Sequence, residues 1–153
     1  MTYVVSADKT NAGGCIFCDH LEAADDTEAH VLYRARSMFV LLNAFPYNTG
    51  HLMVAPIRHV ADTRDLDDDE RAELMEVTHV ATEVVRTAMA PDGFNIGMNL
   101  GSAGGAGIPG HLHMHVVPRW TGDTNFMTTI GESKVLPEML AETDAKLRGL
   151  FPK

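Results

Sequence analysis

Residues Gly110-His111-Leu112-His113-Met114-His115-Val116-Val117-Pro118-Arg119 place a histidine at every second position for three turns of the pattern. In extended backbone successive side chains point to opposite faces. His111, His113 and His115 would therefore line one side, with Leu112, Met114 and Val116 on the other. Imidazoles two residues apart on a strand lie roughly 6–7 Å from each other, twice the rise per residue. A helix would scatter the three rings around its circumference, and an ordinary core strand would be aliphatic on both faces. The pattern predicts a polar working surface on a packed sheet. Much of an imidazole is uncharged near pH 7, so such a row can supply a nucleophile together with hydrogen-bond donors and acceptors. A metal trap and a chance cluster are the competing readings.

Cys15 and Cys18, in Cys-Ile-Phe-Cys, are the only cysteines. A disulfide closing so short a loop would be unusual in a reducing compartment. A redox pair normally sits between a strand and a helix of a βαβ pattern, whereas here the pair follows Asn11-Ala12-Gly13-Gly14 in a segment that reads as irregular. The spacing also suits two of the four ligands of a zinc site. The choice rests on finding two more ligands.

The surrounding elements must position these groups. Residues 1–14 read as an N-terminal arm and 15–153 as one domain. His30 to Arg34 and Met38 to Leu42 read as short strands joined at Arg36-Ser37. His51 to Pro56 reads as a third strand, entered through the turn-rich Pro46-Tyr47-Asn48-Thr49-Gly50. Asp67 with Glu70 resembles a capping box, and Leu74, Val77, Ala81, Val84, Val85 and Ala88 recur at helical spacing up to Pro91-Asp92-Gly93. His79 on that helix has no chemical neighbour in sequence. Phe94 to Asn99 reads as a fourth strand. A glycine-rich loop, Gly101 to Gly110, then leads into the histidine strand, and Pro137 to Leu150 reads as a C-terminal helix. This order implies an α+β fold with an antiparallel sheet of about five strands, one long helix and one C-terminal helix.

The chain has 153 residues, 45% of them hydrophobic, and a formal net charge of −9. That length can bury a real core. The acidic balance argues against nucleic acid as a partner, because such binders need a basic footprint. No apolar run approaches the ~20 residues of a membrane span, and no basic region followed by an apolar stretch opens the chain. A cytoplasmic protein without membrane partners is expected.

His-x-His-x-His followed by two apolar residues resembles the motif of the histidine triad superfamily of nucleotide hydrolases and transferases. Asn43, eight residues before His51, is similar to that family's ribose-contacting segment, and Pro56-Ile57-Arg58-His59 resembles its Pro-Lys-x-His stretch. The resemblance runs from about Cys15 to Arg119. It implies that His113 is a nucleophile toward the α-phosphate of a nucleotide, forming a covalent intermediate that divides one hard displacement into two easier ones. His115 would bind phosphate oxygens and assist the leaving group, and His51 could do similar work. Asn43 and Asn99 would contact substrate. Gly104, Gly105 and Gly107 would turn backbone N–H groups toward an anion, as residues without Cβ allow. Many members carry Gly-Gln-(Ser/Thr)-Val before the first histidine. Here Gly107-Ile108-Pro109-Gly110 stands instead. That departure, with Trp120 and Gly122 to Phe126, brings the chain nearer the branch containing bacterial dinucleoside polyphosphate phosphorylases. Trp120 could stack on a base or simply be buried.

The resemblance also implies a structural zinc ion on Cys15, Cys18, His59 and His111, with none needed for the chemistry itself, and a homodimer or higher homo-oligomer joined edge to edge. The implied activity is nucleotidyl transfer, with adenine the expected base, to water or to phosphate. A nucleoside phosphoramidase, a nucleotide-binding regulatory protein with little turnover and a zinc-binding interaction module are the alternatives.

Overall fold

The computed structural model describes residues 14–124 and 138–153. Apart from Gly14, the arm expected over 1–14 lies outside them, as do Asn125, Phe126 and Pro137. A short helix, α1 (Ile16–Glu22), leads into strands β1 (Val31–Arg34), β2 (Met38–Leu42) and β3 (Leu52–Pro56). The long helix α2 (Asp68–Met89), strands β4 (Gly93–Met98) and β5 (Met114–Arg119), and helix α3 (Leu140–Arg148) complete it. The strands form one sheet in the order β1-β2-β3-β5-β4, with every neighbouring pair antiparallel. The α+β architecture with five strands is the one expected from sequence.

Helix α2 starts where the carboxylate of Asp67 accepts the N–H of Glu70 at 2.8 Å, while the Glu70 carboxylate accepts the N–H of Asp67 at 3.0 Å. These reciprocal bonds satisfy donors that a helix start leaves unpaired. The helix ends at Ala90, in the left-handed region at φ 45°, just before Pro91. Its buried stripe of Leu74, Val77, Ala81, Val84 and Val85 packs on Met38, Val40, Leu42, Leu52 and Val54 of the sheet. Leu112, Met114 and Val116 join the same core, so the apolar side of the histidine segment faces α2.

The opposite face carries a second apolar cluster of Phe17, Ala29, Val31, Phe39, Leu41, Met53 and Ala55. Being covered on both faces explains why Met38–Leu42 is apolar at every position and not alternating. It also explains α1. Seven residues could not hold a helix alone, and this one is kept in place by Phe17, buried among those side chains.

Several local expectations are corrected, the third strand starting at Leu52 and the fourth spanning Gly93–Met98 among them. The segment holding the cysteines is not irregular: Cys15 is the N-cap of α1 and Cys18 lies within the helix. The first strand begins at Val31, because His30 adopts φ 53°, outside the strand region. The histidine strand begins at Met114 and not at Gly110. In the β3–β5 register the residue opposite Leu112 would be Pro56, which has no N–H to donate. The Leu112 N–H donates instead to the Val60 carbonyl at 2.7 Å, holding His111–His113 just outside the ladder.

Helix α3 is shorter than the expected 137–150. Arg148 binds it to the sheet by pairing with Asp144 and donating to the Val31 carbonyl at 2.7 Å. His79 is exposed on α2. No helix among the described residues is long and apolar enough to cross a membrane.

Candidate active site

His113 and His115 project from the face opposite α2, as alternation requires, but their ring centroids are only 4.9 Å apart and nearly perpendicular. The rings lean together more closely than an ideal strand would place them. His51, which directly precedes β3, completes a cluster with its centroid 5.1 Å from that of His115.

The hydrogen bonds assign each ring's proton. The Tyr47 N–H donates to His51 Nδ1 at 3.0 Å, so the neutral His51 carries its hydrogen on Nε2. That Nε2–H donates to His115 Nδ1 at 2.9 Å, which in turn leaves His115 with its own hydrogen on Nε2. His113 Nδ1–H donates to the His111 carbonyl at 2.8 Å, which puts a bare lone pair on His113 Nε2. The same cluster therefore presents one nucleophilic nitrogen and one N–H donor side by side. His51 is fully buried, with both nitrogens engaged. It sits behind His115 as a support.

Backbone and turn contacts hold this support. Gly50, at φ 78°, lets the turn enter β3 where a Cβ would come within 2.8 Å of the Met89 sulfur. Asn48 Nδ2 donates to the Pro118 carbonyl at 3.0 Å and to Asp123 at 2.8 Å, tying the turn to the end of β5. Arg119 donates twice to the same Asp123 carboxylate, at 2.7 Å each. The ring of Tyr47 lies over His51 and His115, at 4.7 and 5.7 Å between centroids. Tyr47 also lines a 250 Å³ hollow with Asn95, Val117, Arg119 and Thr124. Neither Tyr47 nor Asn95 stood out in sequence. Tyr47 is one of several turn residues, and its relation to His115 appears only when β3 and β5 pair.

Burial keeps the site's imidazoles neutral. It lowers His51 to about 3, with the neighbouring His115 and His113 adding to the effect. His115 is lowered to about 4, by burial and then by His113, and burial lowers His113 as well. An unfolded imidazole takes up its proton near 6.5. Between that value and the folded values the unfolded chain binds more protons, so stability is complete above about pH 6.5 and drains away as pH falls toward 4 and then 3. Replacing His51 by Gln should therefore cost stability at pH 7 and much less at pH 5. Urea midpoints of both proteins at the two pH values check this; a gap that widens on acidification contradicts it.

Asn43 accepts the Phe45 N–H at 2.9 Å and lies 3.5 Å from His51 Nδ1. It shapes the turn beside the cluster while remaining half-exposed. Asn99 donates to the Gly105 carbonyl at 3.3 Å and so closes the glycine loop. Inside that exposed loop the N–H groups of Gly104 and Gly105 donate to the carbonyls of Gly101 and Ser102, at 3.2 and 3.0 Å. Those two donors are used by the loop itself. Gly107 lies beyond that turn, exposed. Trp120 is half-buried.

The second cluster is on the same face. Cys15, Cys18, His59 and His111 place one ligand atom each within 4.8 Å of one another. Sulfur and nitrogen on a tetrahedral zinc lie about 3.5 Å apart, given Zn–S and Zn–N bonds of about 2.3 and 2.0 Å. The separations here are 3.2 Å for Cys15 to His111 Nδ1, 3.4 Å for Cys18 to His59 Nδ1 and 3.8 Å for Cys18 to His111 Nδ1. His111 Nε2–H donates to the Pro56 carbonyl at 2.8 Å, which leaves Nδ1 free to ligate. Burial and the adjacent Cys15 push the Cys18 thiol up to about 11, an effect that a cation bound at its sulfur would oppose. The donor set fits zinc.

Comparison with known proteins bears on both clusters. The HIT domain matches residues 24–122. An AP-4-A phosphorylase of Mycobacterium tuberculosis is 50% identical over 118 residues, which are 77% of this chain. The matched part amounts to 60% of that relative's length. A HIT-like protein of Methanocaldococcus jannaschii is 32% identical over 130 residues, covering 84% of this chain and 97% of its own. Among solved structures, a Zn-bound histidine triad family protein from Mycobacterium smegmatis superposes with a TM-score of 0.69 at 25% identity, over 90% of this chain and 92% of that one. A hypothetical histidine triad nucleotide-binding protein from Sulfolobus tokodaii gives 0.71 at 25% identity, over 89% and 91%. With its domain match, its sheet order and its row of histidines in agreement, the chain belongs to the HIT family.

Proposed function

We propose that this protein transfers a nucleotidyl group from a dinucleoside polyphosphate, through His113, to inorganic phosphate. The observation that carries the reading is the pair of ring nitrogens described above: a bare Nε2 on His113 beside an Nε2–H on His115. The lone pair of His113 Nε2 attacks the α-phosphorus, a P–N bond forms, and the P–O bond to the bridging oxygen breaks. The His115 N–H stabilises the negative charge that develops on the departing oxygen. An oxygen of phosphate then attacks the same phosphorus, the P–N bond breaks, and a nucleoside diphosphate leaves with His113 restored. His51 holds the His115 ring in the tautomer this requires. On this reading Asn43 contacts the ribose, and Asn99 with the loop through Gly107 contacts phosphates.

Identity to the mycobacterial AP-4-A phosphorylase supports diadenosine tetraphosphate as substrate and phosphate as acceptor. Cys15, Cys18, His59 and His111 would hold zinc, a closed four-ligand site that binds α1 to the sheet and leaves no position for substrate. The exposed edge of β4, where Ile96 is 47% accessible, supports a homodimer built edge to edge. We place the protein in the cytoplasm.

The test is incubation with diadenosine tetraphosphate, with and without phosphate, and identification of the products. ATP with ADP, formed only when phosphate is present, is expected. ATP with AMP at an equal rate in both conditions would make water the acceptor, and no turnover in either would reject the reading.

A further inference from the structure

Phe17 stands between the two cysteines of the N-terminal motif, and the chemistry proposed above makes no use of it. Its side chain is 1% exposed. Its ring centroid lies 5.0 Å from that of His111 and 4.9 Å from that of His113, with interplanar angles of 38° and 32°. On its far side it meets Phe39 edge-on at 6.4 Å. One aromatic side chain thus rests on a cysteine-cluster histidine and on the histidine with the free lone pair.

We infer that Phe17 is a positioning residue for His113, setting the plane of the imidazole that attacks phosphorus. This rests on the function proposed above. A single hydrogen bond, from Nδ1–H to the His111 carbonyl, anchors one point of the His113 ring and still permits rocking about it. Two flanking groups remove that freedom. His115 meets the ring at 78°, while Phe17 lies along its face at 32°. An attacking lone pair must point along the P–O bond being broken, so rocking of this ring is paid for directly in rate. A phenyl ring suits the task because it adds no polar atom that could compete for Nε2. The contact with His111 extends the arrangement: the residue whose carbonyl orients His113 and whose ring faces the cysteines leans on the same phenyl group. The helix opened by Cys15 therefore carries the wedge.

The test compares Phe17→Leu with Val31→Ala, both fully loaded with zinc. Val31 belongs to the same apolar cluster but sits on β1, three strands from β5 in the sheet order. Leucine keeps the site apolar and removes the flat ring. For Phe17→Leu, kcat should fall roughly tenfold to a hundredfold, with KM for the dinucleotide moving less than about threefold. In ¹³C–¹H spectra of histidine-labelled protein the His113 ring signals should shift and broaden as the ring current and the restraint are lost. Val31→Ala should lower the melting temperature and leave those signals and kcat in place. Equal losses of kcat in the two variants, or unmoved His113 signals in Phe17→Leu, would overturn the inference.

Should Phe17→Leu not fold, the wild-type protein decides the matter. Cross-relaxation between Phe17 and His113 ring protons, with one sharp His113 signal set, supports the role; its absence ends it. The spectra also separate this inference from the function itself. If the wild type turned over no nucleotide, the His113 signals would still report whether Phe17 restrains the ring.

Discussion

Replacing His113 with asparagine should lower turnover of a dinucleoside polyphosphate by about a thousandfold or more, as loss of a covalent nucleophile does elsewhere, while nucleotide affinity changes little. Asparagine can keep a donor near the His111 carbonyl, so the loop ahead of β5 has no reason to move. What disappears is the only lone pair in the cluster that no neighbour uses. His115 cannot substitute, because its Nδ1 accepts from His51 and its Nε2 carries hydrogen. Steady-state rates with titration calorimetry against a nonhydrolysable analogue check both halves. Full turnover by the variant would remove His113 from the chemistry, and weakened binding in proportion to rate would make it a binding residue only.

The second large effect concerns the thiolates. Purified protein is expected to contain one zinc per chain by elemental analysis, and Cys15→Ser or Cys18→Ser to contain almost none. A metal present at a thousand times its Kd stabilises a fold by about 4 kcal/mol. For a chain of this size each kcal/mol shifts the melting temperature by about 2–4 °C. The serine variants, and the wild type after a strong chelator, should therefore melt roughly 8–16 °C lower. Zinc returned to the chelated wild type should restore the loss, and zinc added to the variants should not. Equal melting temperatures with and without metal would leave the four residues as neighbours without a shared ion.

How far sequence carried can be judged at individual positions. The long helix was readable to within a residue because Asp67, Glu70 and Pro91 mark its ends chemically and its apolar stripe has one period. The histidine segment was readable as a row, because alternation is a property of extended backbone even where no ladder forms. Its first hydrogen-bonded residue was not, since that depended on Pro56 standing opposite Leu112 in a partner strand. Cys15 and Cys18 were legible from their spacing as half of a possible metal site, and a resemblance supplied the other half, His59 and His111. The helix they open was missed, because seven residues with a single buried side chain give no periodic signal. Tyr47 and Phe17 were invisible for the same kind of reason: each matters by touching a ring 68 and 96 positions away, His115 and His113 respectively. Glycines permit an anion nest but do not require one, and here two of the N–H groups close a local turn.

The place of β5 between β3 and β4 has a consequence for assembly. Strands β1 to β3 can zip up as neighbours in sequence, yet β5 must wait for two partners, one of them some sixty residues upstream. Only when this last piece slots into the middle do His51 and His115 meet. A chain whose β5 is unpaired lacks the His51–His115 hydrogen bond, so the proposed chemistry is expected only of the finished sheet.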